Sequence, residues 1–456
     1  MIAGFDYGSS NCAIGVMREG DVTLVPLEQG KHYLPSTLYA LHNSLVSEFV
    51  AHKLAGSALA TDYQSARKPL LSSAAMARRE LDLQPTEQGL FVGQQAIEEY
   101  IAFPEEGYFV KSPKSFFGAV GLKPAQLAFF EDIATAMIME IKSRAEHHLG
   151  YSLSHTVIGR PVNFQAIGGE QSNRQAIDIL TVAAKRAGFK DVEFLYEPLA
   201  AGIDYESRLT EDQKVLVVDI GGGTSDCSFV QMGPGFRDKA DRSADFLAHS
   251  GKRIGGNDLD IALAFHTLMP VCGLGGQFTS GLPLPNPLFW QACKINDIQM
   301  QSDFYSEQMQ RELTGMLRDV CEPEKLQRLL KIQENKMTHQ FVRQGELAKI
   351  ALSELEEHAV PLDFLDKALS VKVSAQTMAE SVASCLEQAA ALAEQAIVEA
   401  ETQPDVIYLT GGSAQSPLLK LALQQRLGDI PMVNGDNFGS VTAGLTKWAN
   451  RLYQTG

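Results

Sequence analysis

Cysteine is scarce in this sequence: Cys12, Cys227, Cys272, Cys293, Cys321 and Cys385 are scattered, with no CxxC pair. That spacing excludes a disulfide framework and a thiolate zinc site and fits reduced, buried thiols. No window holds the roughly 18–20 uninterrupted apolar residues of a membrane span. The N-terminus opens on a strand instead of a basic stretch followed by an apolar one, so no secretory leader is expected. The expected location is cytoplasmic. Positive charge is in deficit, 39 Lys and Arg against 55 Asp and Glu, for a formal net charge of −16. A field of that sign repels nucleic acid and anionic membranes, and neither is expected as a partner. G-x-x-x-x-G-K-[ST] and G-x-G-x-x-G are both missing, which removes the P-loop and dinucleotide-fold readings. His147 and His148 are adjacent, and neighbours on a helix point apart, so they make a poor metal pair.

What is present is organised around Val215–Val230, VLVVDIGGGTSDCSFV. Two apolar strands flank a turn of Gly221, Gly222, Gly223 and Thr224, with Asp219 and Asp226 on either side. Consecutive glycines let backbone N–H groups approach an anion closely. Flanking carboxylates suit a hydrated hard cation such as Mg²⁺. Residues Ile2–Met17 repeat the plan: a strand, Asp6, then Gly8, Ser9, Ser10 and Asn11, then a second strand. One such hairpin is weak evidence. Two suggest a duplicated fold with an anionic ligand clamped between the copies.

The 456 residues, 45% hydrophobic and 21% charged, are enough for two or three globular domains. Strands are expected at Asp21–Leu27, Leu34–Ala40, His155–Arg160, Val192–Leu195 and Asp405–Leu409. Helices are expected at Thr135–Leu149, Arg174–Ala187, Leu259–Leu268, Gln344–Glu356, Ala375–Glu401 and Val441–Tyr453. Pro69, Pro85 and Pro104 are expected to break up residues 43–108. Residues 270–330, with Gly273, Gly275, Gly276 and Gly281 ahead of Pro283, Pro285 and Pro287, read as a loop-bearing insertion followed by helical segments rich in Gln, Glu and Lys. Alternation of strands and helices makes the class α/β.

Four stretches, DYGSSN, YEPLAAGIDY, VVDIGGGTSD and YLTGGSAQSPLL, resemble in order the two phosphate hairpins, connecting helix and adenosine turn of the actin-like ATPase superfamily. Within it the sequence is most similar to the nucleotide-binding domain of the DnaK-type heat-shock chaperones, over residues 1–269 and 341–453. GRPVNF, IGGNDLD and the run Glu346, Lys349, Ser353 are also similar to segments of that family. The resemblance implies a duplicated α/β fold whose two lobes close on ATP or ADP with Mg²⁺, and K⁺ as a further candidate ion. One lobe would comprise residues 1–208 plus 436–456, the other residues 209–435 with the insertion at about 270–330.

By the same resemblance Gly8, Ser9, Ser10, Asn11 and Gly221–Thr224 would bind phosphate. Asp6, Asp219 and Glu197 would hold the metal through water. Thr224 and Asp226 would lie near the γ-phosphate. Gly255, Gly256, Asn257, Glu346, Lys349, Ser353, Gly411, Gly412, Ser413 and Gln415 would frame ribose and base. Pro161 would serve as hinge or switch. The expected reaction is hydrolysis of ATP to ADP and phosphate, weak, with lobe closure reporting nucleotide state to a protein partner or client. The alternatives are a non-hydrolysing nucleotide-gated adaptor and a small-molecule kinase of the same superfamily.

Three departures bear on that reading. The family's water-polarising lysine follows a Gly-x-x-Ala run; here Gly93–Ala96 is followed by Ile97, and no lysine lies between Lys68 and Lys111. Lys111 and Lys114 are the candidates to replace it, Lys114 resembling a structural lysine of the family. Ile350 and Gln415 stand where the family has base-stacking arginines. The sequence stops about where the family's linker would begin, so no peptide-binding domain is expected.

Overall fold

In the computed structural model the described residues are 1–454 except 105, 166–168, 238, 240, 241 and 436–438. Two sheets carry the fold, and they share one topology. In the first, the strand order is Asp21–Leu24, Asn11–Arg18, Ile2–Tyr7, His155–Arg160, Asp191–Tyr196, with Leu34–Pro35 added beside Asn11–Arg18. In the second it is Phe246–Lys252, Ser225–Met232, Gln213–Ile220, Val406–Thr410, Met432–Asn434. Each sheet has an antiparallel hairpin at its heart and two parallel strands beyond it. The register sets Asp6 opposite Ala13 and Asp219 opposite Asp226, so both aspartates stand at the ends of buried strands, next to the hairpin turns. The architecture is a duplicated α/β fold of two lobes with a cleft between them.

Helices Glu197–Glu206 and Gly439–Gln454 cross between the lobes. At the crossing, a Cβ on Gly444 would lie 1.7 Å from the carbonyl oxygen of Ala200, so only glycine allows these backbones to approach so closely. An apolar cluster around them joins Val157 and Leu199 to Val217, Val230 and Leu445, giving the lobes a shared core at the hinge. The expected lobe boundary at 436 lies outside the described residues.

Several elements differ from expectation for local reasons. Pro69 sits at the first turn of helix Lys68–Glu80, where its missing N–H is no loss, so it starts a helix. The helix expected at Thr135 begins at Pro124, whose preceding residue Lys123 donates its backbone N–H to Gln126 Oε1 at 2.9 Å. The helix expected at Gln344–Glu356 runs Thr338–Ala351. In the insertion, Gly273, Gly275, Gly276, Gly281, Pro283 and Pro285 precede residue 286, and Pro287 sits in the first turn of the helix that begins there. Helices Asn286–Cys293, Ile298–Phe304, Glu307–Met316 and Pro323–Glu334 follow. Their Phe289, Phe304, Leu313, Leu326, Leu329 and Ile332 are buried in one core with Phe341 of helix Thr338–Ala351. Among the described residues no helix is long and apolar enough to cross a membrane.

Candidate functional site: a carboxylate-floored cleft between two hairpins

The two hairpin turns face each other across the cleft. A Cβ on Gly222 would fall 1.8 Å from Ser10 Oγ, and one on Gly223 would fall 2.8 Å from Ser115 Oγ. Neither glycine has a positive φ, so what these positions require is the absence of a side chain and not a left-handed backbone. The turns are braced through their carbonyls. Ser36 Oγ donates to Gly8 O at 2.6 Å, Gly256 N to Gly221 O at 2.9 Å and Asn257 N to Gly222 O at 2.8 Å. The N–H groups of Ser9, Ser10, Gly222 and Gly223 have no backbone partner among the described residues, and so remain available for an anion.

Beneath the turns lie four carboxylates and one ammonium. Burial, then repulsion from Glu197, pushes Asp6 up to about 7 against the pull of Lys114. Asp219, 5% exposed, is raised well above the usual carboxylate range by burial and by Glu197, Asp226 and Asp6. Asp226, 1% exposed, is raised to about 7 by burial and Glu197, although the Val162 N–H and Thr224 hydrogen-bond it. Lys114, 3% exposed, donates to Gly159 O at 3.0 Å and pairs with Glu197. Negative charge therefore exceeds positive on the floor, and desolvation makes that excess costly.

These residues fit a hydrated divalent cation. Two recessed carboxylates, Asp6 and Asp219, carry surplus charge, and the fully buried Thr410 hydroxyl oxygen opposite Asp219 has no partner among the described residues. Among those residues no three His, Cys, Asp or Glu converge as direct metal ligands.

The cleft has a volume of about 800 Å³. It brings together Asp6, Gly8–Asn11, Glu197, Asp219, Gly221, Gly222, Thr224, Gly256, Asn257, Glu346, Lys349, Ser353, Gly411, Gly412, Ser413 and Gln415. Gly223, Asp226 and Gly255 do not line it. Asp226 stands behind the wall, where its Oδ1 accepts from Val162 N at 2.8 Å and so ties the segment after Pro161 to the second hairpin. On helix Thr338–Ala351 Lys349 pairs with Asp260 at 2.6 Å, and just beyond it Ser353 Oγ donates to Ile350 O at 2.6 Å. Ile97 does not line the cleft; it packs at 8% exposure in helix Gln94–Ala102.

The two lysine candidates part here, and an aromatic group at the rim lay outside the sequence-based expectation for the site. Lys114 reaches the carboxylates from the short helical turn Pro113–Phe116, and no spacing rule marks it out. Lys111, the other replacement candidate, instead crosses the cleft to Glu346 at 2.9 Å. Beside that pair Tyr100 donates its hydroxyl to Lys336 O at 2.9 Å, and the rings of Tyr100, Phe109 and His339 pack together, closing the rim.

Residues 123–270 match the sequence model of the family described as Hsp70 protein. That stretch contains Glu197, the second hairpin and Gly255–Asn257. A chaperone protein dnaK of Emiliania huxleyi is 22% identical over 461 residues, which is 97% of this chain and 59% of that protein. A chaperone protein DnaK of Endomicrobium trichonymphae is 24% identical over 393 residues, 78% of this chain and 52% of its own length. The chain thus spans a little over half the length of these relatives.

Proposed function

We propose, from the premise that the chain belongs to the DnaK-type Hsp70 family, that it binds ATP and ADP with Mg²⁺ in the cleft and hydrolyses ATP slowly. The observation that carries this reading is the set Asp6, Glu197, Asp219 and Asp226 around Lys114, directly below two facing hairpins with free N–H groups. Phosphoryl transfer needs aligned oxygens and neutralised charge more than covalent chemistry, and this floor supplies both.

In this reading Ser9, Ser10, Gly222 and Thr224 donate to phosphate oxygens. Asp6 and Asp219 would hold Mg²⁺ through its water, and the ion would supply charge neutralisation of the phosphates. Glu197 accepts a hydrogen bond from the attacking water, whose oxygen bonds to the γ-phosphorus as the bond to the β,γ-bridging oxygen breaks. Lys114, beside Glu197, takes the electrostatic part that the family gives to the lysine missing at Ile97. Asp226 positions Thr224 and senses the segment after Pro161. Closure of the lobes then reports nucleotide state to a protein partner or client.

A second reading, a nucleotide-gated adaptor without turnover, is favoured by one observation. The Lys114 ammonium is already engaged by Glu197 and Gly159 O, so it is less free to act on water. Calorimetry of ATP binding with and without Mg²⁺ tests what both readings share. Metal-dependent binding that is lost in Asp219→Ala supports them, and no nucleotide binding by the wild-type chain sinks both.

A further inference from the structure

The cavity changes character past the ribose position. Beside the polar Ser353, Ser413, Gln415 and Ser416, its lining carries an apolar set, Leu352, Ala375, Met378, Val382, Leu386 and Leu418, and the one charged side chain between Leu352 and Leu386 that lines it is the exposed Glu354. Met378, Val382 and Leu386 recur every fourth residue on helix Ala375–Glu399, so they form one stripe along it. The stripe runs along a seam. Met378 belongs to the helical core of the second lobe, whereas Val382 and Leu386 belong to the core of its sheet. A second cavity of about 450 Å³ shares Leu386 and Leu418 with the first and is lined by Ala379, Ala383 and Ala422 together with the exposed Glu387, Gln425 and Arg426.

Among the described residues no arginine lines the cleft, and its one aromatic lining residue is Tyr33. Ile350 is 59% exposed at the cleft edge, and Gln415 is exposed on the other side. In the nucleotide reading above, phosphate, ribose and base follow one another along the cleft from Asp6 to Lys349. A purine is joined to ribose through its five-membered ring, so its 6-position is the edge farthest from ribose and nearest this apolar end. Water in such an annex has few hydrogen-bond partners, and an apolar group that displaces it gains affinity.

We infer that this annex is a binding site for an apolar group carried on the 6-position of a purine nucleotide. The inference rests on the nucleotide reading above and names the ligand class of its base end. That end selects apolar bulk over the hydrogen-bonding pattern of adenine.

The test is competition against labelled ADP on the full chain, with ADP, GDP and N6-benzyl-ADP, in wild type, Met378→Trp and Leu418→Trp. The expected result is N6-benzyl-ADP about tenfold tighter than ADP, from the apolar area it buries. GDP should lie within about threefold of ADP, since one unread polar contact is worth little. Either tryptophan fills the annex and should remove the benzyl advantage. Equal or weaker binding of N6-benzyl-ADP by wild type overturns the inference whether or not the variants fold, and so does an advantage that persists in both variants. If ADP itself does not bind, the nucleotide reading fails and takes this inference with it; ADP binding with the benzyl analogue excluded overturns this inference alone.

Discussion

At one end of the cleft, the proposed phosphate end, two short hairpins present main-chain donors over buried charge. At the other, the proposed base end, apolar side chains from the segments around Leu352, Met378 and Leu418 meet at a seam between two cores. The first surface works through electrostatics at close range, in which an ångström or a proton matters. The second works through buried area, is tolerant of shape and carries little directional information. One cleft therefore holds a strict end and a permissive end. Substitutions of similar size should have very unequal effects at the two.

The largest effect is expected at the strict end. Gly222→Val puts a branched side chain into the space of Ser10 Oγ and forces the hairpins apart. Equilibrium binding should show ADP affinity reduced by about 100-fold, the price of overpacking at a close approach. Gly412→Ala, at an exposed turn of the base end, should change it by less than about threefold. Comparable losses in the two variants would erase the distinction.

The rim comes next. Tyr100→Ala removes the hydroxyl contact to Lys336 O and the packing with Phe109 and His339. Stopped-flow release of a fluorescent ADP should accelerate by about tenfold, as for aromatic pairs worth about 0.5–1.5 kcal/mol each. A rate within twofold of wild type would remove the rim from control of opening.

Proton linkage separates floor from rim by sign. Asp6 and Asp226 have folded values raised to about 7. They contribute stability that is complete below the unfolded carboxylate range and lost as pH rises through about 7. His339 is pushed down to about 3, first by burial and then by Lys111. Its contribution is present above the ordinary histidine range and lost as pH falls from there toward 3. Thermal melts of the nucleotide-free protein should lose several degrees between pH 5 and 8, and Asp226→Asn should flatten that slope. Mg²⁺ requires the deprotonated floor, so its affinity should rise across the same interval. A melting profile unchanged by Asp226→Asn would contradict the charge assignment.

The smallest effect is expected at the permissive end. Ile350→Arg adds a guanidinium at the exposed edge of the base position. It should tighten ADP by about threefold, the size of an exposed cation–π contact, and shift the ratio of ADP to GDP affinity by no more than that. Competition binding measures both.

The same division decided what the sequence disclosed. Asp6, Gly8–Asn11, Asp219 and Gly221–Thr224 are legible because each hairpin is continuous in the chain and its glycines and carboxylates leave a local signature. The matching sheet orders follow from those two hairpins. Lys114 was named together with Lys111 as a replacement for the missing lysine, but its pairing with Glu197, 83 residues away in the chain, leaves no local signature that separates the two. The apolar annex left no motif, because Met378, Val382 and Leu386 read as an ordinary helix core stripe. Pro69 was read as a breaker because proline's effect depends on whether it falls in the first turn or the interior of a helix. The glycines and prolines of 273–287 similarly drew attention from the buried Leu and Phe positions of the four helices that follow.

The central claim is that the carboxylate floor with Lys114 supports turnover of a bound nucleotide. It is tested most directly by a single-turnover reaction, with protein in excess over labelled ATP and Mg²⁺, in wild type, Glu197→Ala and Lys114→Ala. The account predicts conversion of bound ATP to ADP in wild type and a loss of about 100-fold or more in each variant, the scale of removing one preorganised electrostatic group. Bound ATP that persists unconverted in the wild-type protein would contradict it and leave a nucleotide-gated adaptor.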